Sequence, residues 1–243
     1  MKIVSESDIG LCRAENQDTV NSEMLGDSVF VVLCDGMGGE NSGRDASRII
    51  SEVVMNKFLA GYEEKLSEQQ LKELMFSSLT TANNVVYNTA HEELEKSGMG
   101  STCVAAYVES ETGTAYIINV GDSRAYLCSD DSIEQITEDH SFVQMLINEG
   151  KLTPAEIKDH PKKNMLVRAV GVEKKLEIDF FKVSLEGKKL LLCSDGLHGC
   201  CTDEDILKVL NSSSFEDSAE RLKQLALDSG GYDNVTLAVV ADC

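Results

Sequence analysis

Apolar positions along the chain fall into two rhythms. Short alternating or continuous runs near residues 2–9, 28–34, 102–109, 114–120, 123–128, 176–183, 188–193 and 234–241 predict β-strands. Spacings of three and four residues at Leu71, Leu74, Met75, Leu79, Ala82, Val86, Ala90 and Leu94 predict one face of a long amphipathic helix, which follows another over 43–60. Shorter helices are expected at 141–149, 203–210 and 215–228. The order is strands, two long helices, many strands, then helices again. Without regular strand–helix alternation, this order argues against a doubly wound parallel sheet and for antiparallel sheets with helices packed outside.

One run ends unusually. In "VVLCDGMGGENSGRDAS", residues 31–47, an apolar strand delivers Asp35 at its carboxyl end and then meets three glycines, Gly36, Gly38 and Gly39. Glycine lets the backbone turn sharply and approach a ligand closely. Ser42 is expected to cap a helix that begins near Gly43. Taken alone, the loop fits a tight strand-to-helix turn as well as it fits a site.

The same grammar recurs. "YIINVGDSRAYL" places Asp122 in a Gly-Asp turn after a strand, "LLLCSDGLHG" places Asp195 after another, and "GGYDNVTLAVV" places Asp233 just before a third. Four aspartates at strand termini beside glycine or a turn point to one shared site. Several carboxylates in one cleft cannot all ionise without a compensating cation. Oxygen donors without histidine or cysteine favour a hard cation, Mg²⁺ or Mn²⁺. An aspartate bridging two ions about 4 Å apart would let them share and acidify a water aimed at phosphorus or carbonyl carbon. In "DIGLCRAENQDTV", Arg13 offers a permanent cation whose fork suits phosphate oxygens, and Asp18 is a fifth acidic candidate for holding metal-bound water.

Composition narrows the classes. The 243 residues are 42% hydrophobic, enough for one sizeable core, and no proline-rich, serine-rich or charged linker divides them, so a single domain over 1–243 is expected. The 42 acidic against 22 basic residues give a net charge of -20, which repels nucleic acid and anionic membranes. No signal-like start and no spanning apolar run is present, so a cytoplasmic location without membrane insertion is expected. Eight cysteines show no CxxC: Cys12, Cys34, Cys103, Cys128 and Cys193 sit in or beside apolar runs, Cys200 and Cys201 are adjacent, and Cys243 is terminal. They are read as reduced packing residues. Residues 137–171 differ in character, being charged and holding both prolines, Pro154 and Pro161, with His140 and His160. They are expected to form a flap-like insertion.

Eight strings, "RAENQD", "DGMGG", "GSTCVAAYV", "NVGDSRAYL", "TEDHS", "LVRAVG", "LLLCSDGL" and "GGYDNVTLAVV", resemble in order and spacing the motifs of the PP2C-type (PPM family) metal-dependent serine/threonine protein phosphatases. The likeness runs from about residue 3 to residue 241. Asn-Gln-Asp in the first motif and Met37 after Asp-Gly look like the bacterial stand-alone branch that opposes Hanks-type serine/threonine kinases. The resemblance implies an α+β fold, an αββα sandwich of two antiparallel β-sheets flanked by helices, with the metal site at one end between the sheets. It implies that Asp35 bridges two Mn²⁺ or Mg²⁺ ions, that the Gly36 carbonyl serves one, and that Asp195 and Asp233 complete the second. Asp122, with Asp195, matches a third and weaker metal position. Arg13 matches the phosphate-binding arginine and Asp18 the residue that orders metal-bound water. The implied reaction is hydrolysis of phosphoserine and phosphothreonine in proteins by a metal-bound hydroxide, with phosphoproteins, a kinase among them, as partners and a monomer as the acting unit.

Met37 stands where eukaryotic members carry a histidine proposed as general acid, and methionine has no proton to donate. The acid is left open between a water on a third metal and His160, while His140 reads as structural in its Asp-His-Ser turn. Glycines at 38, 39 and 43 before Arg44 lack the lysine and hydroxyl residue of a phosphate loop, so a nucleotide-binding P-loop is not expected. A noncatalytic phosphoprotein-binding module remains the competing reading. The intact set Arg13, Asp35, Asp122, Asp195 and Asp233 favours the enzyme, and the charge and missing basic groove weigh against a nuclease.

Overall fold

Val29, Val31 and Leu33 pack to one side of a strand and Phe30, Val32 and Cys34 to the other, and all six are fully buried. Successive side chains of a strand face opposite ways, so a strand apolar at every position needs cover on both faces. The computed structural model, which describes residues 1–39 and 42–242 with backbone alone at 158 and 159, supplies that cover as two stacked sheets.

In chain order the first half holds β1 (Lys2–Asp8), β2 (Asp18–Leu25), β3 (Ser28–Met37), α1 (Ser42–Gly61), α2 (Glu68–Glu92), β4 (Gly100–Ser101), β5 (Cys103–Glu109) and β6 (Thr114–Val120). The second half holds β7 (Arg124–Cys128), β8 (Ile133–Gln135), α3 (Phe142–Asn148), β9 (Asp179–Ser184), β10 (Lys189–Cys193), α4 (Asp195–His198), α5 (Asp203–Ser212), α6 (Phe215–Asp228) and β11 (Val235–Ala241). One sheet runs β1-β11-β10-β7-β8 and the other β2-β3-β5-β6-β9, with β4 pairing to β3. The pairs between these strands are antiparallel.

Three apolar layers explain the stack. Val29, Val31, Val104 and Ile117 of one sheet meet Leu127, Leu190, Leu192 and Val240 of the other in the middle. The outer face of the second sheet packs Phe30, Val32 and Ile118 against Ile50, Phe58, Met75 and Leu79 of α1 and α2. The outer face of the first packs Leu191 and Val239 against Ile206, Leu210 and Leu222 of α5 and α6. The order helix, sheet, sheet, helix is the expected αββα sandwich.

Several local expectations are corrected. β2 and β8 went unforeseen because both lie at sheet edges and present polar, partly exposed residues instead of a clean apolar run. The run at 176–183 pairs only from Asp179; Leu176 and Ile178 pack on the helix-side core without a strand partner. Leu94 does not continue the apolar face of α2, since Glu93 turns extended and Leu94 is 94% exposed. The start of α2 is instead fixed by a capping box between Ser67 and Gln70. Ser42 lies inside the first turn of α1, and its Oγ donates to the Glu95 carbonyl at 3.3 Å instead of capping that helix.

Residues 137–171 hold α3, a 3₁₀ turn over Pro154–Asp159, and two isolated bridges, Ser141 to Leu166 and Ser101 to Val170. Cys34, Cys103, Cys128, Cys193 and Cys201 are buried free thiols, and Cys12 is an exposed one. Cys243 lies outside the described residues.

Candidate active site

The strand ends that carry the recurring aspartates converge. Arg13, Asp35, Gly36, Asp122, Asp195 and Asp233 line one cleft of about 320 Å³, together with Gln17, Met37, Thr102, Asn164, Leu166 and Asn234. Asp122 and Asp195, with Asn164, also line an adjoining cleft of about 460 Å³. Asp18 lies behind this surface and is buried.

Asp35 is held by its own backbone. Its N–H donates to Thr102 Oγ1 at 2.9 Å, and its carbonyl accepts from Ser101 Oγ at 2.7 Å and the Thr102 N–H at 2.8 Å. Thr102 Oγ1 also bonds Ser123 Oγ at 2.7 Å, which links the Asp35 strand to the turn that presents Asp122. In that turn Gly121 has φ +109, and a Cβ there would meet the Thr102 side chain at 2.6 Å. His198 Nε2 donates to the Asp122 carbonyl at 3.0 Å from the far side. Gly36 donates its N–H to the Gln17 carbonyl at 3.1 Å, and a Cβ on it would fall 2.0 Å from the Gly43 carbonyl. Only glycine lets β3 and α1 approach so closely.

The N-terminal loop reaches the same place through Asn234. Its Nδ2 donates to the carbonyls of Ile9 and Glu15, each at 2.9 Å, and its Oδ1 accepts from the Gln17 N–H at 2.9 Å. The loop so fixed carries Arg13, whose Nη2 donates to Asp233 Oδ2 at 2.6 Å. Asp18 faces Asp35 across the β2–β3 ladder. Its Oδ2 accepts from Ser194 Oγ at 2.7 Å, while its Oδ1 is buried without a partner among the described residues.

The histidines divide clearly. His140 is buried, its Nδ1 accepts from the Gly121 N–H at 3.0 Å, and its Nε2 lies 2.9 Å from Arg168 Nη1 and 3.2 Å from Asp179 Oδ2. Burial and the nearby Arg168 cation lower its pKa and keep it neutral. It is structural, as its turn suggested. His160 takes its Nδ1 contact from the Lys162 N–H at 3.2 Å and is absent from the lining of either cleft. His198 passed unnoticed in the sequence.

A family profile described as "Protein phosphatase 2C" matches residues 13–236. The chain belongs to the protein phosphatase 2C family. Every candidate residue from Arg13 to Asp233 falls inside that span. The serine/threonine protein phosphatase PstP of Mycobacterium tuberculosis is 34% identical over 243 residues, all of this chain but 45% of PstP, so the chain spans about half the length of that relative. The serine/threonine phosphatase stp of Listeria innocua is 33% identical over 96% of this chain and 93% of its own. The crystal structure of serine/threonine phosphatase Stp1 from Staphylococcus aureus superposes with a TM-score of 0.93 at 36% identity, covering 100% of this chain and 95% of that one.

The electrostatics of this protein phosphatase 2C cleft are unbalanced. Burial, then the neighbouring aspartates, push the Asp35 carboxyl well above its usual range. Burial likewise raises Asp18 to about 7, with Asp195 and Asp233 adding to the shift. Asp122 rises to about 7 by burial and the Asp195 charge, and Asp195 to about 6 by burial and the Asp233 charge. Arg13 offsets them only in part: its hydrogen bond to Asp233, with the Asp195 and Asp35 charges, raises its own pKa, but it is one cation at the rim against several buried carboxylates. The set is short of positive charge and offers only oxygen donors, with one buried oxygen unsatisfied, which suits a hard divalent cation. Among the described residues, no three His, Cys, Asp or Glu side chains close around a single point. Mg²⁺ keeps several waters and takes only one or two carboxylates, so this open arrangement fits it.

Proposed function

We propose that this protein hydrolyses phosphoserine and phosphothreonine in other proteins with the help of Mn²⁺ or Mg²⁺. The observation that carries the reading is the convergence of Asp35, Asp122, Asp195 and Asp233, from four separate strand ends, on one cleft whose rim holds Arg13. Asp35 and the Gly36 carbonyl, with Asp195 and Asp233, would hold two ions in the core. Asp122 and Asp195, shared with the adjoining cleft, would hold a third more weakly. Divalent ions supply charge neutralisation and an activated water when bound.

The chain's own residues supply the rest. The Arg13 guanidinium, oriented by Asp233, anchors two phosphate oxygens and so fixes the phosphorus against the carboxylate floor. Asp18, buried behind Asp35 and bonded to Ser194, holds its free Oδ1 ready to accept from ordered water. Met37 lines the cleft and gives no proton, and no histidine stands among its described lining residues. The leaving alkoxide therefore takes its proton from water in the cleft. Asn164 and Leu166 bring the 137–171 segment to the mouth, which supports reading that segment as a flap within a single catalytic domain.

The chemistry of the substrate implies a serine/threonine kinase as the counterpart activity, and the resemblance of the Asn-Gln-Asp and Met37 motifs to the bacterial branch points to one of the Hanks type. No described helix is long and apolar enough to cross a membrane, and we place the protein in the cytoplasm as a monomer. The test is phosphate release from a phosphothreonine peptide by the purified protein. Turnover is expected with Mn²⁺ and none with EDTA. Binding of Mn²⁺ and phosphopeptide by a folded sample without turnover would replace the enzyme with a binding module.

A further inference from the structure

A second groove adjoins the cleft. It has a volume of about 270 Å³, and Met37 and Leu166 line both spaces, so the two share a wall. Its apolar lining is Met37, Leu166, Val167, Ala169, Val172 and Leu176. Val167 and Val172 are 49% and 46% exposed. Gly100 lies beneath this wall: a Cβ there would stand 3.0 Å from Met37 Cε, from the Val170 carbonyl and from Val172 Cγ2. The missing side chain lets Met37 and Val172 come together and join the cleft to the groove.

The charges at the groove cancel. Arg168 and Lys175 line it, and so do Glu173 and Glu177. The Arg168 guanidinium is already bound to Asp179 at 2.8 Å and approaches Glu177 at 3.6 Å. A second phosphate or a carboxylate would find no free guanidinium there. What the groove offers is aliphatic surface, and exposed valines beside a polar cleft gain by being covered.

We propose that this groove receives an aliphatic side chain of the phosphoprotein, one residue away from the phosphorylated serine or threonine. Adjacent Cα atoms are only about 3.8 Å apart, so a chain whose phosphate sits at Arg13 has the shared Met37–Leu166 wall within reach of its next side chain. The inference rests on the phosphatase reading and adds the chemistry by which substrates are chosen. Filling such a surface with one leucine is worth about tenfold in kcat/KM.

Phosphothreonine peptides carrying leucine or serine, on the amino-terminal or the carboxyl-terminal side of the phosphothreonine, test this. The unaltered protein should turn over one leucine peptide about tenfold better than its serine counterpart. In Val172→Asp and Val167→Asp the leucine-to-serine ratio, taken within each variant, should fall to near one. A ratio near one in the unaltered protein, or a ratio that survives both substitutions, overturns the proposal. Hydrolysis of p-nitrophenyl phosphate, which has no flanking residue, is followed in parallel. If the unaltered protein fails there too, the phosphatase reading is at fault, and the groove is then judged by the affinities of the same peptides measured by fluorescence anisotropy. Equal affinities for leucine and serine peptides would overturn it on that ground as well.

Discussion

Asp139 and Asp122 line the same cleft, yet the fold treats them oppositely. Asp139 receives Arg124 through Nε at 2.8 Å and Nη2 at 2.7 Å, a two-pronged pair largely shielded from solvent. Asp179 is similarly served by Arg168 and His140. Among the described residues no guanidinium bonds Asp122, Asp18, Asp35 or Asp195, and burial raises all four. The difference separates structural carboxylates from working ones. A buried carboxylate given its cation by the chain holds the fold together, and one denied it holds a place for something from outside; Asp233, bonded to the half-exposed Arg13, stands between the two.

The sharpest way to break this comparison is to remove one carboxylate from the cleft, either Asp195 of the unpaired set or Asp233, which Arg13 holds at the rim. Asp195→Asn or Asp233→Asn keeps size and hydrogen-bonding shape but removes a charge. Phosphate release from a phosphothreonine peptide in Mn²⁺ should fall by about a thousandfold or more, as expected when a transition-state stabiliser is lost. The far-ultraviolet circular dichroism should not change. Activity within tenfold of the unaltered protein would show that these carboxylates are ordinary turn residues.

The paired set predicts the reverse, with stability as the readout. Arg124→Ala strands the Asp139 carboxylate and removes the partner of Tyr126 Oη, which Arg124 Nη1 reaches at 2.7 Å. Breaking a buried pair by deleting one partner costs about 3 kcal/mol, so the urea midpoint should drop well below that of Asp195→Asn. Adding Asp139→Asn should recover part of the loss. A cost under about 1 kcal/mol would place the pair with surface bridges, which contribute little.

What the sequence revealed about each set follows from how its members are held. Asp35, Asp122, Asp195 and Asp233 were legible because each stands where an apolar strand meets glycine or a turn, a local signal. The strands buried on both faces, such as β3, β10 and β11, were legible for the same reason. Ser194, Thr102, Asn234 and His198 carried no such mark. Their function lies in hydrogen bonds to residues far along the chain: Ser194 to Asp18, Thr102 to Ser123, Asn234 to the 9–17 loop, His198 to the Asp122 carbonyl. The edge strands β2 and β8 were hidden because an edge need not be apolar. The packing of Met37 and Val172 over Gly100 was hidden because it joins three distant segments.

The smallest effect concerns pH. An acid whose folded pKa lies above its unfolded value of about 4 stabilises the folded state at low pH and loses that contribution as pH rises through the folded value. For Asp18 and Asp122, raised to about 7, and Asp195, raised to about 6, the loss is completed between roughly pH 6 and 8. His198, lowered to about 3 by burial, works the other way, since only its unfolded form takes a proton. That opposing gain ends near pH 6.5, where free histidine titrates. Above it the carboxylates act alone. The melting temperature in EDTA should therefore fall from pH 6.5 to 8, on the order of 5 °C for a domain of this size. Mg²⁺ should cancel the fall, and the gap between melting curves with and without Mg²⁺ should widen with pH because the ligands must be ionised to bind. Asp139, already paired, predicts no such metal dependence. A gap that stays constant across this range would mean that the unpaired carboxylates were never waiting for a cation.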